Sequence, residues 1–369
     1  MRIDFVITEL DVGGAESALA HIAVGLAERG DDVRVFSLAP PPARKGIVER
    51  LMNASIPIEF GNATSAFHFP ATLRHLRSWL RRGKADVVQS FLFHANVLTS
   101  IAGIGRSHVA GVRVADPSRW RSLVERWALR SCPSIVCVSN AVAEFVRHRL
   151  VGSVDRVRVI HNGVDADRFA GASPAPWTDV GLPADAIVTL FVGRLHQQKG
   201  LDCLEEQADS IAPSGSDRWL VLVGDGPLKS HWQSLSDQKP NRNVRWLPWM
   251  EDISGVMAAC RVLVLPSRYE GMPNVVLEAM AAGRPVVCSD VEGSQELVGN
   301  DARQRFSVGD SVEMNQKLDG FLSDASLAAK TGRANQALVS EKFSIDAMVE
   351  RYHELYESLG CQNATKSVS

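Results

Sequence analysis

The sequence predicts an α/β protein that contains two doubly wound, Rossmann-like parallel sheets in series. Short apolar runs alternate with helical patterns in the first half of the chain, and the alternation starts again after a linker-like segment. A length of 369 residues fits two domains, each large enough to bury its own core. Open α/β sheets bind ligands beyond the carboxyl ends of their strands, so we expect the two units to face each other across a cleft.

The first half contains four apolar runs that predict strands. The first run, residues 3–7, is followed by a helical pattern over 16–30 that stops at a glycine. Further strands are predicted over 32–37, 85–90 and 134–139. Strands that alternate with helices indicate a parallel sheet with both faces covered.

The second half repeats this pattern with four more strands, at 186–193, 219–224, 261–266 and 285–288. Their continuous apolar character is typical of strands that are buried on both faces. A final helix is predicted from residue 345, because apolar residues recur at helical spacing and form one stripe.

These patterns divide the chain into five segments. The first domain is predicted to end at residue 170, and the composition of the following Pro- and Ser-containing stretch indicates a linker. The last helix is expected to cross back to the first domain, and the polar tail is expected to be disordered. The predicted segments are 1–170, 171–176, 177–342, 343–360 and 361–369.

Charge is unevenly distributed along a chain whose formal net charge is only -2. Residues 1–170 carry 22 Lys and Arg against 16 Asp and Glu, whereas the remainder carries 18 against 26. The positive first half indicates an anionic partner such as a phospholipid surface or a lipid-phosphate acceptor. The alternative is ordinary variation between two solvated surfaces. We expect no nucleic-acid partner.

Six scattered cysteines without CxxC spacing indicate neither a disulfide framework nor a zinc site, which fits a reducing cytoplasm. The N-terminal apolar run is too short for a signal peptide, and no run approaches the length of a membrane span. We therefore expect a cytoplasmic protein. The alternative location is the inner face of the cytoplasmic membrane.

The most informative block spans residues 266–283, which follow a predicted strand and open a helix. Gly271 permits a tight turn, and Pro273 suits the first turn of a helix. Backbone N–H groups at this helix start would form an anion site. The carboxylates of Glu270 and Glu278 could accept hydrogen bonds from sugar hydroxyls. The alternative is a capped helix with two solvated glutamates.

A second block, residues 193–200, also follows a predicted strand. Arg194 offers a planar fork for phosphate oxygens, and Lys199 offers a point charge. Together they would stabilise the negative charge that develops on a diphosphate leaving group, without a metal ion. The alternative is a pair of solvated loop cations.

Two candidate sites of the first half also follow predicted strands. Gly13 and Gly14 follow the first strand, but without a full GxGxxG pattern they do not support a nicotinamide site. His94 follows the strand over 85–90 and could bind a sugar hydroxyl or handle a proton. The alternative is a structural histidine.

Together these blocks resemble the retaining glycosyltransferase family 4, which has the GT-B fold, over nearly the whole chain. Glu270 and Glu278 match the family's Glu-x7-Glu motif, and residues 193–200 match its Gly-Arg…Lys-Gly segment. Residues 138–142, 162–165 and 224–227 match further motifs, whereas Ser294-Gln295 departs from the pattern around Gly293 and Glu296.

The resemblance implies transfer of a sugar from a UDP- or GDP-linked donor to a glycan or lipid-linked acceptor, with retention of configuration. It implies front-face attack, with no cofactor and no essential metal. The catalytic residues that it implies are His94, Glu270, Arg194 and Lys199. The donor-binding residues are Gly13, Gly14, Arg194, Lys199, Leu247, Glu270, Gly271, Met272, Pro273, Asn274, Val275 and Glu278.

Within this set, Arg194 and Lys199 would hold the diphosphate, and Gly13 and Gly14 would line it where a side chain would obstruct. Glu278 would bind the ribose, while Glu270 and His94 would contact the sugar. The base would lie near Leu247. Two other functions stay open, a GT-B-like sugar-nucleotide epimerase and a non-catalytic nucleotide-sugar-binding protein.

The most basic stretch, residues 67–84, raises the question of membrane contact. Leu73, Leu76, Trp79 and Leu80 share one helical face, with arginines on the other. Such a helix can lie among lipid headgroups as a peripheral contact. The alternative is that its apolar stripe packs on the sheet.

Overall fold

The computed structural model describes residues 1–103, 108–115, 118–151, 155–238, 242–291 and 293–366. The chain forms two compact units. The first consists of Met1–Gly163 together with Ile345–Ser369, and the second consists of Val164–Ser344. No helix in the described ranges combines the length and the apolarity that a bilayer crossing requires.

In its described part, the first unit contains a seven-stranded parallel sheet in the order β3-β2-β1-β4-β5-β6-β7. The chain moves outward from β1 to β3 and then returns to the other side of β1, so the order reverses between β1 and β4. The strands are β1 (Arg2–Ile7), β2 (Asp32–Ser37), β3 (Ile58–Phe60), β4 (Val87–Phe91), β5 (His108–Val112), β6 (Ser134–Cys137) and β7 (Val157–Val159).

Helices cover both faces of this sheet. They are α1 (Gly14–Glu28), α2 (Gly46–Asn53), α3 (Phe69–Gly83), α4 (Phe93–Ala102), α5 (Arg119–Leu129) and α6 (Asn140–Phe145). Because side chains alternate along a strand, Phe5 of β1 belongs to the core beneath α1, whereas Val6 belongs to the core beneath α3 and α4.

The apolar stripe of α3 is part of the second of these cores. Leu76, Trp79 and Leu80 are buried, and the ring of Trp79 lies 5.3 Å from that of Phe36 on the sheet. The structure thus supports the packing alternative for this helix. Its apolar face is not available to lipid.

The second unit contains six parallel strands in the order β10-β9-β8-β11-β12-β13, within the residues that the structure describes. The order reverses here between β8 and β11. The strands are β8 (Ile187–Val192), β9 (Arg218–Val223), β10 (Val244–Leu247), β11 (Val262–Leu265), β12 (Val286–Ser289) and β13 (Arg305–Phe306). The helices are α7 (Ala166–Ala170), α8 (Leu201–Ile211), α9 (Lys229–Gln238), α10 (Ser254–Ala259), α11 (Asn274–Ala281), α12 (Ser294–Val298), α13 (Ser311–Ser323) and α14 (Ala325–Lys342).

The last helix, α15 (Ile345–Lys366), returns to the first unit and packs along α1. Tyr352 and Tyr356 are fully buried there, and the Tyr356 hydroxyl donates a hydrogen bond to Oε1 of Gln89 at 3.1 Å. Arg29, which caps the end of α1, and Glu350 form an ion pair of 2.7 Å.

The unit boundary differs from the one expected from composition. Val164 pairs with Ser344 in a parallel bridge, and α7 packs against α10, α11 and α14. The expected linker is ordered, because Ala175 N–H donates to the Gly255 carbonyl and Trp177 is buried. Residues 164–176 therefore belong to the second unit. The expected disordered tail is helical as far as Lys366, whereas residues 367–369 lie outside the described residues.

We predict that Tyr356→Ala lowers the free energy of unfolding by about 3–5 kcal/mol, because it leaves a cavity between α15 and the sheet. Tyr356→Phe removes only the hydroxyl that donates to Gln89 and should cost about 1 kcal/mol. Urea unfolding of the full chain measures both. Arg351→Ala, at an exposed position of the same helix, is the control. Equal midpoints for all three variants would contradict the packing described.

Candidate functional site

The predicted donor site of the second unit is assembled from the loops that follow β8 and β11. These strands are neighbours, with Val262 paired to Thr189 and Leu263 paired to Leu190. Their carboxyl ends lie at the same edge of the sheet, where the strand order reverses. Such a switch point is where open α/β sheets bind ligands.

The two loops approach each other at backbone distance. Gly200 has a left-handed backbone with φ of 63°, and a Cβ there would overlap the carbonyl oxygen of Pro266. Nearby, the Arg268 N–H donates to the Gln198 carbonyl at 2.8 Å, and the Gln198 side chain donates to the Tyr269 carbonyl at 3.0 Å. Only glycine satisfies both the conformation and the space at residue 200.

Lys199 and Glu270 form an ion pair across these loops. The Lys199 Nζ lies 2.5 Å from Glu270 Oε1, and the Ser267 hydroxyl donates to the same oxygen at 2.7 Å. The two side chains are 18% and 10% exposed, so solvent screens the pair weakly. Two donors therefore fix the carboxylate of Glu270.

Arg194 lies in the same loop as Lys199 but differs in its surroundings. Its side chain is exposed, and the guanidinium makes no hydrogen bond or ion pair with the described residues. The backbone beside it is fixed, because Leu195 N–H donates to the Asp225 carbonyl at 2.8 Å. The guanidinium is thus an exposed cation beside a backbone that hydrogen bonds hold in place.

The loop after β11 leads into α11 through Gly271, Met272 and Pro273. These three residues are buried, and Pro273 occupies the capping position before Asn274, the first helical residue. Proline is therefore one position earlier than expected from a first-turn role. Val276 N–H is bonded to the Pro273 carbonyl at 3.1 Å, which fixes the first turn of the helix.

Glu278 lies within α11 and is partly buried. Burial raises the pKa of this carboxyl to about 7, and the guanidinium of Arg168 on α7 opposes the shift. Arg168 is held in turn by an ion pair of 2.9 Å with Asp252. Sequence reasoning did not single out Arg168, although it closely follows the matched motif at residues 162–165.

In the first unit, the segment that follows β1 carries the two predicted glycines. Gly13 caps α1 in an extended conformation, and Gly14 is the first helical residue. The space that a side chain at Gly13 would occupy is filled by the carboxylate of Glu16. Burial raises the pKa of Glu16 to about 7, with Glu9 adding to the shift and Arg113 opposing it. A side chain at residue 13 would therefore require the buried Glu16 carboxylate to shift.

His94 lies after β4, on the other side of the reversal in strand order. It is the second residue of α4, and its ring lies 5.2 Å from Phe93 and 5.7 Å from Phe69. Burial lowers the pKa of His94, and the nearby Arg121 cation lowers it further, so the imidazole is neutral at neutral pH. Leu92, which precedes the helix, has a φ of 73°, a strained value for leucine that is frequent at functional sites.

Arg113, at the end of β5, is a buried cation that sequence reasoning missed. Its guanidinium donates to Oδ1 of Asn162 at 2.5 Å and also interacts with Tyr352 and Glu16. Asn162, in the matched motif at residues 162–165, is therefore the hydrogen-bond partner of a buried cation. No group of three or more His, Cys, Asp or Glu side chains is arranged to hold a metal ion in the part of the chain that the structure describes.

Family models match both halves of the chain. Residues 12–168 match the model described as Glycosyltransferase Family 4, and residues 186–324 match the one described as Glycosyl transferases group 1. The two matched segments contain all the predicted site residues.

Two relatives show the range of similar proteins. An Escherichia coli protein named UDP-Gal:alpha-D-GlcNAc-diphosphoundecaprenol alpha-1,3-galactosyltransferase is 29% identical over 68% of each chain. A lipopolysaccharide core biosynthesis glycosyltransferase, LpsE of Rhizobium meliloti, is 25% identical over 94% of this chain and 96% of its own.

Two solved structures share the fold. Anabaena HepE in complex with UDP-glucose has a TM-score of 0.84 at 22% identity and covers 97% of this chain and 100% of its own. WaaG, a glycosyltransferase involved in lipopolysaccharide biosynthesis, has a TM-score of 0.74 at 19% identity and covers 96% and 99%.

We predict that Gly200→Ala lowers the free energy of unfolding by more than about 3 kcal/mol, because it adds a clash with the Pro266 carbonyl to left-handed strain. Gly215→Ala is the matched control. Gly215 has a φ of 77° with open space around it, so the strain alone should cost about 1–2 kcal/mol. Urea unfolding compares them, and equal losses would show that the two loops do not touch.

We predict that the parent loses stability relative to Glu278→Gln as the pH rises. The pKa of Glu278 is about 7 in the folded chain, above the ordinary 4.5. The folded state therefore holds the proton more tightly, and this contribution is complete below about pH 4.5 and lost as the pH rises through about 7. Urea unfolding of both proteins from about pH 4 to about pH 8 measures the difference. A difference that stays constant across this range would refute the shift.

Proposed function

The chain belongs to glycosyltransferase family 4 and has the GT-B fold, and we propose that it moves a hexose, with retention of configuration, from a nucleotide-diphosphate donor to a glycan or lipid-linked glycan. The observation that carries the proposal is the partly buried Lys199–Glu270 pair beside the exposed Arg194, at the switch point of the second sheet. This arrangement offers cations for a diphosphate next to an anchored carboxylate for a sugar.

The proposed donor is a UDP- or GDP-sugar. Uridine is favoured because the similar solved structures of HepE hold UDP and UDP-glucose and because the name of the Escherichia coli relative includes UDP-Gal. The base is proposed to lie near Leu247. That residue ends β10, and its carbonyl accepts a bond from the Gly224 N–H at 3.1 Å.

Arg194 and Lys199 are proposed to stabilise the departing diphosphate. As the bond to the sugar breaks, negative charge grows on the phosphate oxygens, and preorganised cations in a weakly solvated site stabilise that charge. Lys199 has a fixed position because Glu270 holds it, whereas Arg194 can move to the ligand. The start of α11, with Gly271, Met272, Pro273, Asn274 and Val275, would add backbone N–H groups. We propose that neither a metal ion nor a cofactor is essential.

Glu270 and Glu278 are proposed to hold the two sugar rings of the donor. Ser267 and Lys199 orient the Glu270 carboxylate, which suits it to accept hydrogen bonds from hydroxyls of the transferred hexose. Glu278 would accept from the ribose. Its raised pKa means that hydroxyl binding is stronger above about pH 7, where the carboxylate is ionised.

The first unit is proposed to act on the same donor through Gly13, Gly14 and His94. A neutral imidazole can both accept and donate a hydrogen bond, and burial keeps the ring of His94 neutral. Retention would follow from front-face attack in which the departing phosphate takes the proton of the acceptor hydroxyl. The epimerase and the non-catalytic alternatives gain no support from the relatives, whose names are those of transferases and a synthase.

The acceptor is proposed to belong to a cell-envelope polysaccharide, lipopolysaccharide or glycolipid. One relative acts on a diphosphoundecaprenol-linked sugar, and another is named for lipopolysaccharide core biosynthesis. A lipid-linked acceptor would place the enzyme in the cytoplasm at the inner face of the membrane. The positive charge of the first 170 residues supports contact with such a surface.

We predict that Lys199→Ala lowers the rate of sugar release from the preferred donor by at least about 10²-fold, because a fixed cation is lost from the leaving group. The donor is first chosen by thermal shift against UDP, GDP, ADP and their common sugars. NMR of the reaction then gives the rate and the anomeric configuration of the product. Lys317→Ala, which removes a lysine paired with Glu313 on α13, is the control.

Unligated melting curves of both lysine variants show whether each is folded. A folded Lys199→Ala protein as active as the parent would disprove the diphosphate assignment. Inverted product would disprove retention alone.

A further inference from the structure

The outward face of α5 is apolar, which is the reverse of an ordinary surface helix. Trp120, Leu123, Val124 and Trp127 are 62%, 68%, 37% and 56% exposed. Their spacing of i, i+3, i+4 and i+7 places them on one face of the helix. The opposite face, with Ala128 and Leu129, is buried and holds the helix on the first unit. An exposed apolar ridge of this size indicates an interaction surface.

The ridge is bordered by cations. Arg119, Arg126 and Arg130 are exposed, and their guanidinium groups make no ion pair in the described ranges. The single acidic residue of α5, Glu125, is buried on the inner face, where Asn96 donates to it at 3.5 Å. The outer face of α5 therefore combines tryptophan and leucine with positive charge and carries no carboxylate.

The neighbouring helices extend the positive charge. Helix α4 packs between α5 and α3, and on α3 a groove of about 440 Å³ is lined by Arg74, Arg77, Ser78, Arg81 and Arg82. Of these arginines, Arg82 is paired with Glu59 at 3.1 Å. Arg77 also donates to the Ile101 carbonyl at 2.7 Å and thereby ties α3 to α4. We call the ridge of α5 with the arginines of α3 and α5 the α3–α5 surface.

We propose that the α3–α5 surface docks on an anionic phospholipid bilayer. Tryptophan is suited to the boundary between headgroups and acyl chains because its ring is apolar and its N–H is polar. Guanidinium groups bind phosphate oxygens with paired hydrogen bonds. A second copy of the chain fits this surface poorly, because a self-pairing interface brings arginines against arginines.

This surface adjoins His94, which is proposed to contact the transferred sugar. The ring of Phe93 lies 5.9 Å from that of Trp120 and 5.2 Å from that of His94. Arg121 covers Phe93, with its guanidinium carbon 4.6 Å from the ring centre. Delivery of a lipid-linked acceptor by this surface rests on the proposed function, whereas docking on the bilayer does not. A lipid-linked acceptor held in the bilayer would then reach His94 without leaving the membrane.

The test is cosedimentation of the full chain with vesicles of phosphatidylglycerol and phosphatidylcholine, against vesicles of phosphatidylcholine alone. We expect the parent to bind the anionic vesicles at low salt and to be released by added salt. Trp120→Ser with Trp127→Ser should weaken binding by at least about tenfold. Arg119→Glu with Arg126→Glu should do the same.

Val308→Ser with Val312→Ser is the matched control, because it removes two exposed apolar side chains of the second unit, 48% and 55% exposed. This control should bind as the parent does. Donor hydrolysis without an acceptor should stay unchanged in all three double variants, which separates a failure of docking from a failure of the proposed function.

Three results would overturn the proposal. The first is absence of parent binding to anionic vesicles at low salt. The second is equal binding of the tryptophan variant and the parent. The third is an oligomer of the parent, detected by light scattering, that the tryptophan substitutions convert to a monomer, since the ridge would then be covered by a second copy.

Discussion

The close approach of the loops after β8 and β11 is the constraint on which the proposed donor site of the second unit depends. Gly200 allows the two backbones to touch at Pro266, and the bonds of Gln198 to Arg268 and Tyr269 hold them in register. Lys199 is the neighbour of the touching glycine, and its partner Glu270 is the neighbour of Tyr269. The ion pair is therefore a result of backbone packing, and its geometry is set before any ligand arrives.

In both units the candidate residues lie at the same position of the sheet topology. In each sheet the strand order reverses beside the first strand of the unit, and the loops on either side carry the candidate residues. The first unit places Gly13 and His94 there, and the second unit places Lys199 and Glu270 there. Crossover connections from these two strands leave in opposite directions, so the space between their carboxyl ends stays uncovered.

Apolar runs were sufficient to predict the long central strands, because these are buried on both faces. They were not sufficient for β3, β7 and β13, which have only two or three residues, for the four-residue edge strand β10, or for β5, which begins at a buried histidine. The two glutamates and the two cations were named from their motifs, yet the bond between Lys199 and Glu270 joins residues 71 positions apart and required the fold. Periodicity identified the apolar face of α3 but left open whether that face packs on the sheet or lies among lipid headgroups. The contact between Glu16 and Gly13 depends on a rotamer that sequence does not encode.

The return of α15 to the first unit has a consequence for biosynthesis. Residues Met348, Val349, Tyr352 and Tyr356 complete the core beneath α1, but the ribosome makes them after the whole of the second unit. While the chain is being translated, the apolar side chains of α1 lack their cover, whereas Val164–Ser344 is already complete. The second unit can therefore finish folding first, and the first unit closes only when the last helix leaves the exit tunnel.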